Sequence, residues 1–269
     1  MPFARVNGTM LYYRESGEGR LALFVHGFPL DHTVWLDQLL GLGHVRRCVA
    51  VDLRGFGRSE PITDENLSME IMADDLAALI EALGESDADI VGISMGGYVA
   101  MALWALRPEM VRSLTLLDTK ATADSMEARA SREALIAQVL EHGRVHVANT
   151  LGPALVGPEA SVSVRARLRS MIEGTRYETM VAALEGMRDR PDRTATLRTL
   201  NVPSLVVGGE HDRLTPPAEI RGLAEIIPGA RSAIVRGAGH LPPLERPDKV
   251  NESIIELFEG RKVVWWKGE

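Results

Sequence analysis

The sequence predicts an α/β fold, a mostly parallel central sheet with helices on both faces and a helical insertion. Short apolar runs recur at Leu21 to Val25, Cys48 to Val51, Ile90 to Val91, Leu114 to Leu117, Leu205 to Val207 and Ala233 to Val235. A strand buried on both faces is written that way. Helical patterns separate most of these runs, which is the spacing of crossover-connected parallel strands. From Lys120 to about Thr199 the rhythm stops and no strand candidate appears. We therefore expect residues 1–119 and 200–269 to form the core and 120–199 to form a helical cap, within the 269 residues that one large domain with an insertion requires.

The elements follow in order. Phe3 to Val6 and Met10 to Arg14 alternate in hydrophobicity and are split by Asn7-Gly8, a strong hairpin signal. Cys48 is the only cysteine, so no internal disulfide forms, and its apolar neighbours make it a small buried hydrophobe rather than a reactive thiol. Met69 to Leu83 is the clearest helix: Ser68 caps it, Ile71, Met72, Leu76, Leu79, Ile80 and Leu83 form one stripe, and Gly84 stops it. In the insertion, Gly143, Gly152-Pro153, Gly157-Pro158, Gly174 and Pro191 divide the chain into short helical pieces in which arginine recurs. The tail Val263-Val264-Trp265-Trp266 is unusually apolar for a terminus.

Composition narrows the function. A net charge of −7 argues against nucleic acid as a partner. No apolar stretch reaches the ~20 residues of a membrane span, and Met1 to Arg20 lacks the basic-then-apolar layout of a signal peptide. The expectation is a cytoplasmic protein with no membrane partner.

The chemistry centres on Gly92-Ile93-Ser94-Met95-Gly96. G-x-S-x-G is a weak signal by itself. Here it follows a predicted buried strand and precedes the apolar helix Tyr98 to Leu106, so Ser94 sits at a strand-to-helix junction, where a nucleophile is displayed. A serine hydroxyl needs an imidazole to take its proton and a carboxylate to orient that imidazole. Of seven histidines, His240 stands out in the glycine-flanked loop Arg236 to Pro243, just past the last strand on the edge of the sheet that carries Ser94. Asp212 follows a strand directly and is the favoured acid; Asp118, which ends the strand after Ser94, and Glu210 are the alternatives. His26-Gly27-Phe28-Pro29 follows the strand Leu21 to Val25. The Phe28 N–H, with the Met95 N–H, would face the oxygen of a tetrahedral intermediate, and His26 would brace that loop. Phe28, Pro29, Met95, Tyr98 and Leu241 are expected to contact substrate. Met126, Met171, Met180 and Met187 of the insertion would suit a wall that fits several acyl groups. H-E-x-x-H is absent, His142 and His146 lack a third ligand nearby, and neither metal nor cofactor is expected.

With these pieces assembled, the chain resembles the α/β-hydrolases of the esterase, lactonase and non-haem haloperoxidase/perhydrolase group. The His26 to Pro29 loop, Asp52-Leu53-Arg54-Gly55-Phe56-Gly57-Arg58-Ser59, the Ser94 turn, the Asp212 loop and the His240 loop carry the likeness. It implies a triad of Ser94, Asp212 and His240, an oxyanion hole from Phe28 and Met95, and a cap over 120–199. The implied activity is hydrolysis of small to medium carboxylic esters or lactones, an enol-lactone or acyl-homoserine lactone among them. Epoxide hydrolases and haloalkane dehalogenases share the fold but carry aspartate where this chain has Ser94. A non-enzymatic receptor on the same fold would have no use for an intact triad. The group's perhydrolases are similar in placing proline after the aromatic oxyanion residue, as Pro29 follows Phe28, which implies partial transfer of the acyl group to hydrogen peroxide.

Overall fold

A computed structural model describes residues 2–62 and 67–260; the Trp265-Trp266 tail lies outside them. The opening hairpin is β1 (Phe3–Val6) and β2 (Thr9–Ser16), paired antiparallel. Then follow β3 (Leu21–Val25), α1 (Leu36–Leu42), β4 (Arg47–Val51), α2 (Met69–Ala82), β5 (Ala88–Ile93), α3 (Met95–Leu106) and β6 (Val111–Leu117). Four helices come next without a strand: α4 (Met126–Thr150), α5 (Val162–Gly174), α6 (Tyr177–Asp189) and α7 (Thr194–Leu197). The chain returns to the sheet with β7 (Ser204–Gly209), α8 (Pro217–Ile226), β8 (Arg231–Val235), α9 (Pro242–Glu245) and α10 (Pro247–Phe258).

The eight strands lie in the order β1-β2-β4-β3-β5-β6-β7-β8. From β4 onward every pairing is parallel. Strands β3, β5 and β7 are buried at every position, whereas edge strand β8 buries only Val235. Continuous apolar runs are thus the mark of the central strands. Helix α2 packs on α3 and α1 on α10, and these pairs cover the sheet. Because β3, β5, β6, β7 and β8 all run the same way, their C-terminal ends share one edge, where α/β folds place their sites.

Two expectations need adjustment. Ser68 does cap α2, its hydroxyl accepting the Ile71 N–H at 3.2 Å, but Ile71 itself is 38% exposed. At about 100° per residue it points well away from the Met72, Leu76, Leu79 and Ile80 stripe. The insertion also begins with a longer helical stretch than its punctuation suggested. Gly143, at φ 72° and ψ −174°, still breaks it into two helices that meet at a kink, since only glycine enters that backbone region without strain.

Candidate active site

Strand β5 ends at Ile93 and α3 starts at Met95, so the reversal falls on Ser94 alone. Its backbone lies at φ 53° and ψ −116°, a region that costs an L residue of order 1–3 kcal/mol. Small neighbours make the turn possible. A Cβ on Gly92 would stand 2.4 Å from the Gly96 carbonyl oxygen, and one on Gly96 would stand 2.2 Å from that of Val25. The turn is tied to β6 as well: Ser94 N–H donates to the Leu117 carbonyl at 2.9 Å, and the Thr119 hydroxyl donates to the Ser94 carbonyl at 2.9 Å.

The loop after β3 comes directly beside the serine, since a Cβ on Gly27 would lie 3.1 Å from Ser94 Cβ. His26 is fully buried. Its Nδ1 lies 2.9 Å from the Gly27 carbonyl, and its Nε2 accepts the Leu53 N–H at 3.1 Å. One nitrogen donates and the other accepts, so the ring is neutral, and burial pushes its pKa down. His26 is a brace. The N–H groups of Phe28 and Met95 have no acceptor among the described residues, and Met95 is the first residue of α3, where a helix leaves its N–H groups open.

Asp212 and His240 meet across two loops. His240 Nδ1 lies 2.7 Å from Asp212 Oδ2, both side chains at most 4% exposed. Asp212 Oδ1 accepts the Leu214 N–H at 2.8 Å, and the Thr215 hydroxyl donates to Oδ2. Burial opposes ionisation of Asp212, but the hydrogen bond and charge of His240, helped by Thr215 and Asp118, bring its pKa down to about 2. The loops are pressed together so closely that a Cβ on Gly209 would overlap the Gly239 carbonyl at 1.8 Å. Glu245 fastens the histidine loop, accepting the Gly239 N–H at 2.8 Å and, from the segment between β6 and β7, the Gly157 N–H at 2.7 Å.

The other two acids are close by in different roles. Glu210 is half exposed and accepts the Gly237 N–H at 2.9 Å, which braces the histidine loop from outside. Asp118 is completely buried at φ 43°. Its Oδ1 accepts the Gly209 N–H at 2.8 Å, and Oδ2 has no other partner, while carboxyl oxygens of Asp118 and Asp212 and a ring nitrogen of His240 all lie within 4.8 Å of one another. Two adjacent buried carboxyls do not both ionise. Burial first, then the charge of Asp212, raises the Asp118 pKa well above the carboxylate range. The opposite directions of the two shifts make Asp118 the protonated member of the pair and Asp212 the anion.

Ser94 and His240 line one cavity of about 340 Å³ with Phe28 and Tyr98. Leu135, Leu151, Leu155, Leu184 and Met187 supply its apolar side, and Lys120, Asp124 and Arg132 its charged side. Pro29, Met95 and Leu241, expected to contact substrate, do not line it. All three are buried, the Pro29 carbonyl is taken by the Thr175 hydroxyl at 3.0 Å, and Leu241 turns its N–H to Glu245. Of the four methionines only Met187 reaches the cavity, Met126 being 82% exposed and Met171 and Met180 packed in the core. The reading by residue type passed over Thr119 and Lys120. Their signal was position: they follow β6, the strand beside β5, at the edge that bears Ser94.

The sequence profile of the alpha/beta hydrolase fold family matches residues 23–247. The chain belongs to that family. Among solved alpha/beta hydrolases it is similar to a thermophilic esterase from Thermogutta terrifontis, determined with malate bound, at 37% identity and a TM-score of 0.91, covering 96% of this chain and 97% of that one. It is similar also to the enol-lactonase from Burkholderia xenovorans LB400, at 27% identity and a TM-score of 0.89, covering 96% and 100%. A putative non-heme bromoperoxidase of Mycobacterium tuberculosis is 28% identical over 271 residues, 94% of this chain and 98% of the relative. No helix of the described residues is long and apolar enough to cross a membrane.

Proposed function

We propose that this protein is a serine hydrolase that cleaves carboxylic esters or lactones of small to medium size through an acyl-enzyme on Ser94. One observation carries the reading: a serine held at strained positive φ opens into the same cavity as a histidine whose far nitrogen is bonded to a buried, ionised Asp212. Such strain persists where function requires it. Esterase and enol-lactonase relatives support the same chemistry.

In this mechanism His240 Nε2 takes the Ser94 proton as Oγ attacks the scissile carbonyl carbon, and Asp212 holds the Nδ1–H and stabilises the imidazolium. The carbonyl oxygen becomes an oxyanion and accepts the free N–H groups of Phe28 and Met95. Collapse breaks the bond to the alkoxy oxygen, which leaves with the proton from His240. A water, deprotonated by His240, then attacks the acyl-Ser94, and the acid departs as Ser94 regains its proton. In a lactone the leaving alkoxide stays attached to the acyl chain, so ring opening and deacylation yield one hydroxy acid. The helices between β6 and β7 act as a cap that encloses the acyl group against Leu135, Leu155 and Leu184.

The test is a panel of p-nitrophenyl esters and lactones with wild type and Ser94→Ala. Wild type should turn over short esters with a burst of acyl-enzyme, and Ser94→Ala should retain less than about a hundredth of kcat. Turnover undiminished in Ser94→Ala would refute the nucleophile. A panel with no turnover but with saturable binding would favour a small-molecule receptor.

A further inference from the structure

Resting on the hydrolase reading, we infer that the cavity holds an anion subsite, centred on Lys120 and Arg132, that selects esters or lactones carrying a carboxylate remote from the scissile carbonyl. Lys120 lines the cavity with Ser94 and His240, and its ammonium has neither an ion-pair nor a hydrogen-bond partner among the described residues. Lys120 is half-buried, so its ammonium is only partly hydrated beside that apolar wall and would gain from a counter-charge entering the cavity. Among the described residues the only acid in the cavity lining is Asp124, and it is already taken. Arg132 binds it through Nε, with Nη2 at 3.5 Å, and Arg190 binds it through Nη1 at 2.7 Å.

The charges around that wall do not cancel. Burial opposes ionisation of Asp124, but the two guanidiniums lower its pKa, so one carboxylate faces two arginines and a lysine. The nearby Glu70 is occupied by Arg193. Arg190 is the inner support of the group. It is 4% exposed, its guanidinium lies 4.0 Å over the Tyr98 ring, and Nη1 and Nη2 reach the Met187 and Thr122 carbonyls at 2.7 and 2.8 Å. Asp124 thus holds Arg132 against the cavity wall, with guanidinium N–H donors beyond those that Asp124 uses. Lys120 sits three residues past β6, on the same sheet edge as Ser94, and it faces the same space from the sheet side. An ammonium and a guanidinium converging on one cavity of mixed apolar and cationic lining fit a carboxylate at the end of a short carbon chain.

The experiment compares charged and neutral substrates of one shape. Monomethyl glutarate against dimethyl glutarate places the charge on the acyl side, and 3-acetoxypropanoate against its methyl ester places it on the leaving side. In wild type the ratio of kcat/KM, charged over neutral, should exceed one for at least one pair and fall as salt is raised. Lys120→Met should lower that ratio about tenfold or more, chiefly through KM, as loss of a charge-assisted hydrogen bond does, and Lys120→Arg should restore much of it. Arg132→Met should act in the same direction. Equal or lower turnover of the charged ester in both pairs, or a ratio unmoved by Lys120→Met, would overturn the subsite and identify Lys120 as a solvated surface charge. Failure of wild type to hydrolyse the neutral esters as well would count instead against the hydrolase reading.

Discussion

Replacing Asp118 with asparagine tests the proton assignment behind the candidate triad. Unfolded, Asp118 ionises near 3.9; folded, burial and the Asp212 charge keep it protonated to much higher pH. Between those values the folded protein binds one more proton than the unfolded chain. The stability that this group contributes is complete below about pH 3.9 and is lost as pH rises toward the folded pKa, at up to about 1.4 kcal/mol per pH unit. Asparagine does not titrate and still accepts the Gly209 N–H. The stability of Asp118→Asn minus that of wild type should therefore grow as pH rises above about 3.9, by at most about 1.4 kcal/mol per pH unit, until the folded pKa is passed. Asp212 adds stability of the opposite pH dependence, present above about 3.9 and lost as pH falls through its folded pKa of about 2, but both proteins carry it and the window excludes it. Urea unfolding of both proteins at pH 5, 6, 7 and 8 reads the difference. Asp118→Ala, which leaves the Gly209 N–H unpaired at a cost of about 1–3 kcal/mol, controls for simple loss of packing. A wild-type to Asp118→Asn gap that stays constant across the range would mean that Asp118 is already ionised in the folded protein.

Asp212→Asn should lower kcat on p-nitrophenyl acetate by at least ~10³-fold, because the imidazole loses its orienting anion, whereas Glu210→Gln should stay within about tenfold; the reverse order would exchange their roles. Ser94→Gly should raise the urea midpoint while abolishing turnover, since glycine relieves a positive φ that costs serine of order 1–3 kcal/mol; an unchanged midpoint would mean that the turn is not strained. With acetate esters and hydrogen peroxide, wild type is expected to form some peracetic acid, measured by halide oxidation, and Pro29→Leu to lower that rate several-fold while sparing hydrolysis. Equal loss of both activities would assign Pro29 to loop shape alone, in keeping with the hydrogen bond from Thr175 to its carbonyl.

The sequence by itself determined what depends on short-range pattern. Apolar runs marked the central strands, Asn7-Gly8 marked the hairpin, and Gly92, Ser94 and Gly96 between a buried strand and an apolar helix marked the turn, because each is a local balance of burial and backbone freedom within a few residues. It favoured Asp212 as the acid, with Asp118 and Glu210 as alternatives, but it could not show how the three are arranged. Asp212 and His240 are 28 residues apart, and Asp118 and the Gly209 N–H it binds are 91 apart, so their pairing depends on the register of β6, β7 and β8. Only the assembled sheet set that register, and with it the division of one proton between two carboxyls. The same holds for the cavity wall. Composition showed many arginines in the insertion and one lysine at its start, but a charged side chain at the end of a strand faces solvent or a cavity according to what packs above it. Here helices α4 and α6 pack together and line the same cavity as Lys120, and Asp124 draws Arg132 and Arg190 together, contacts that no spacing in the chain encodes.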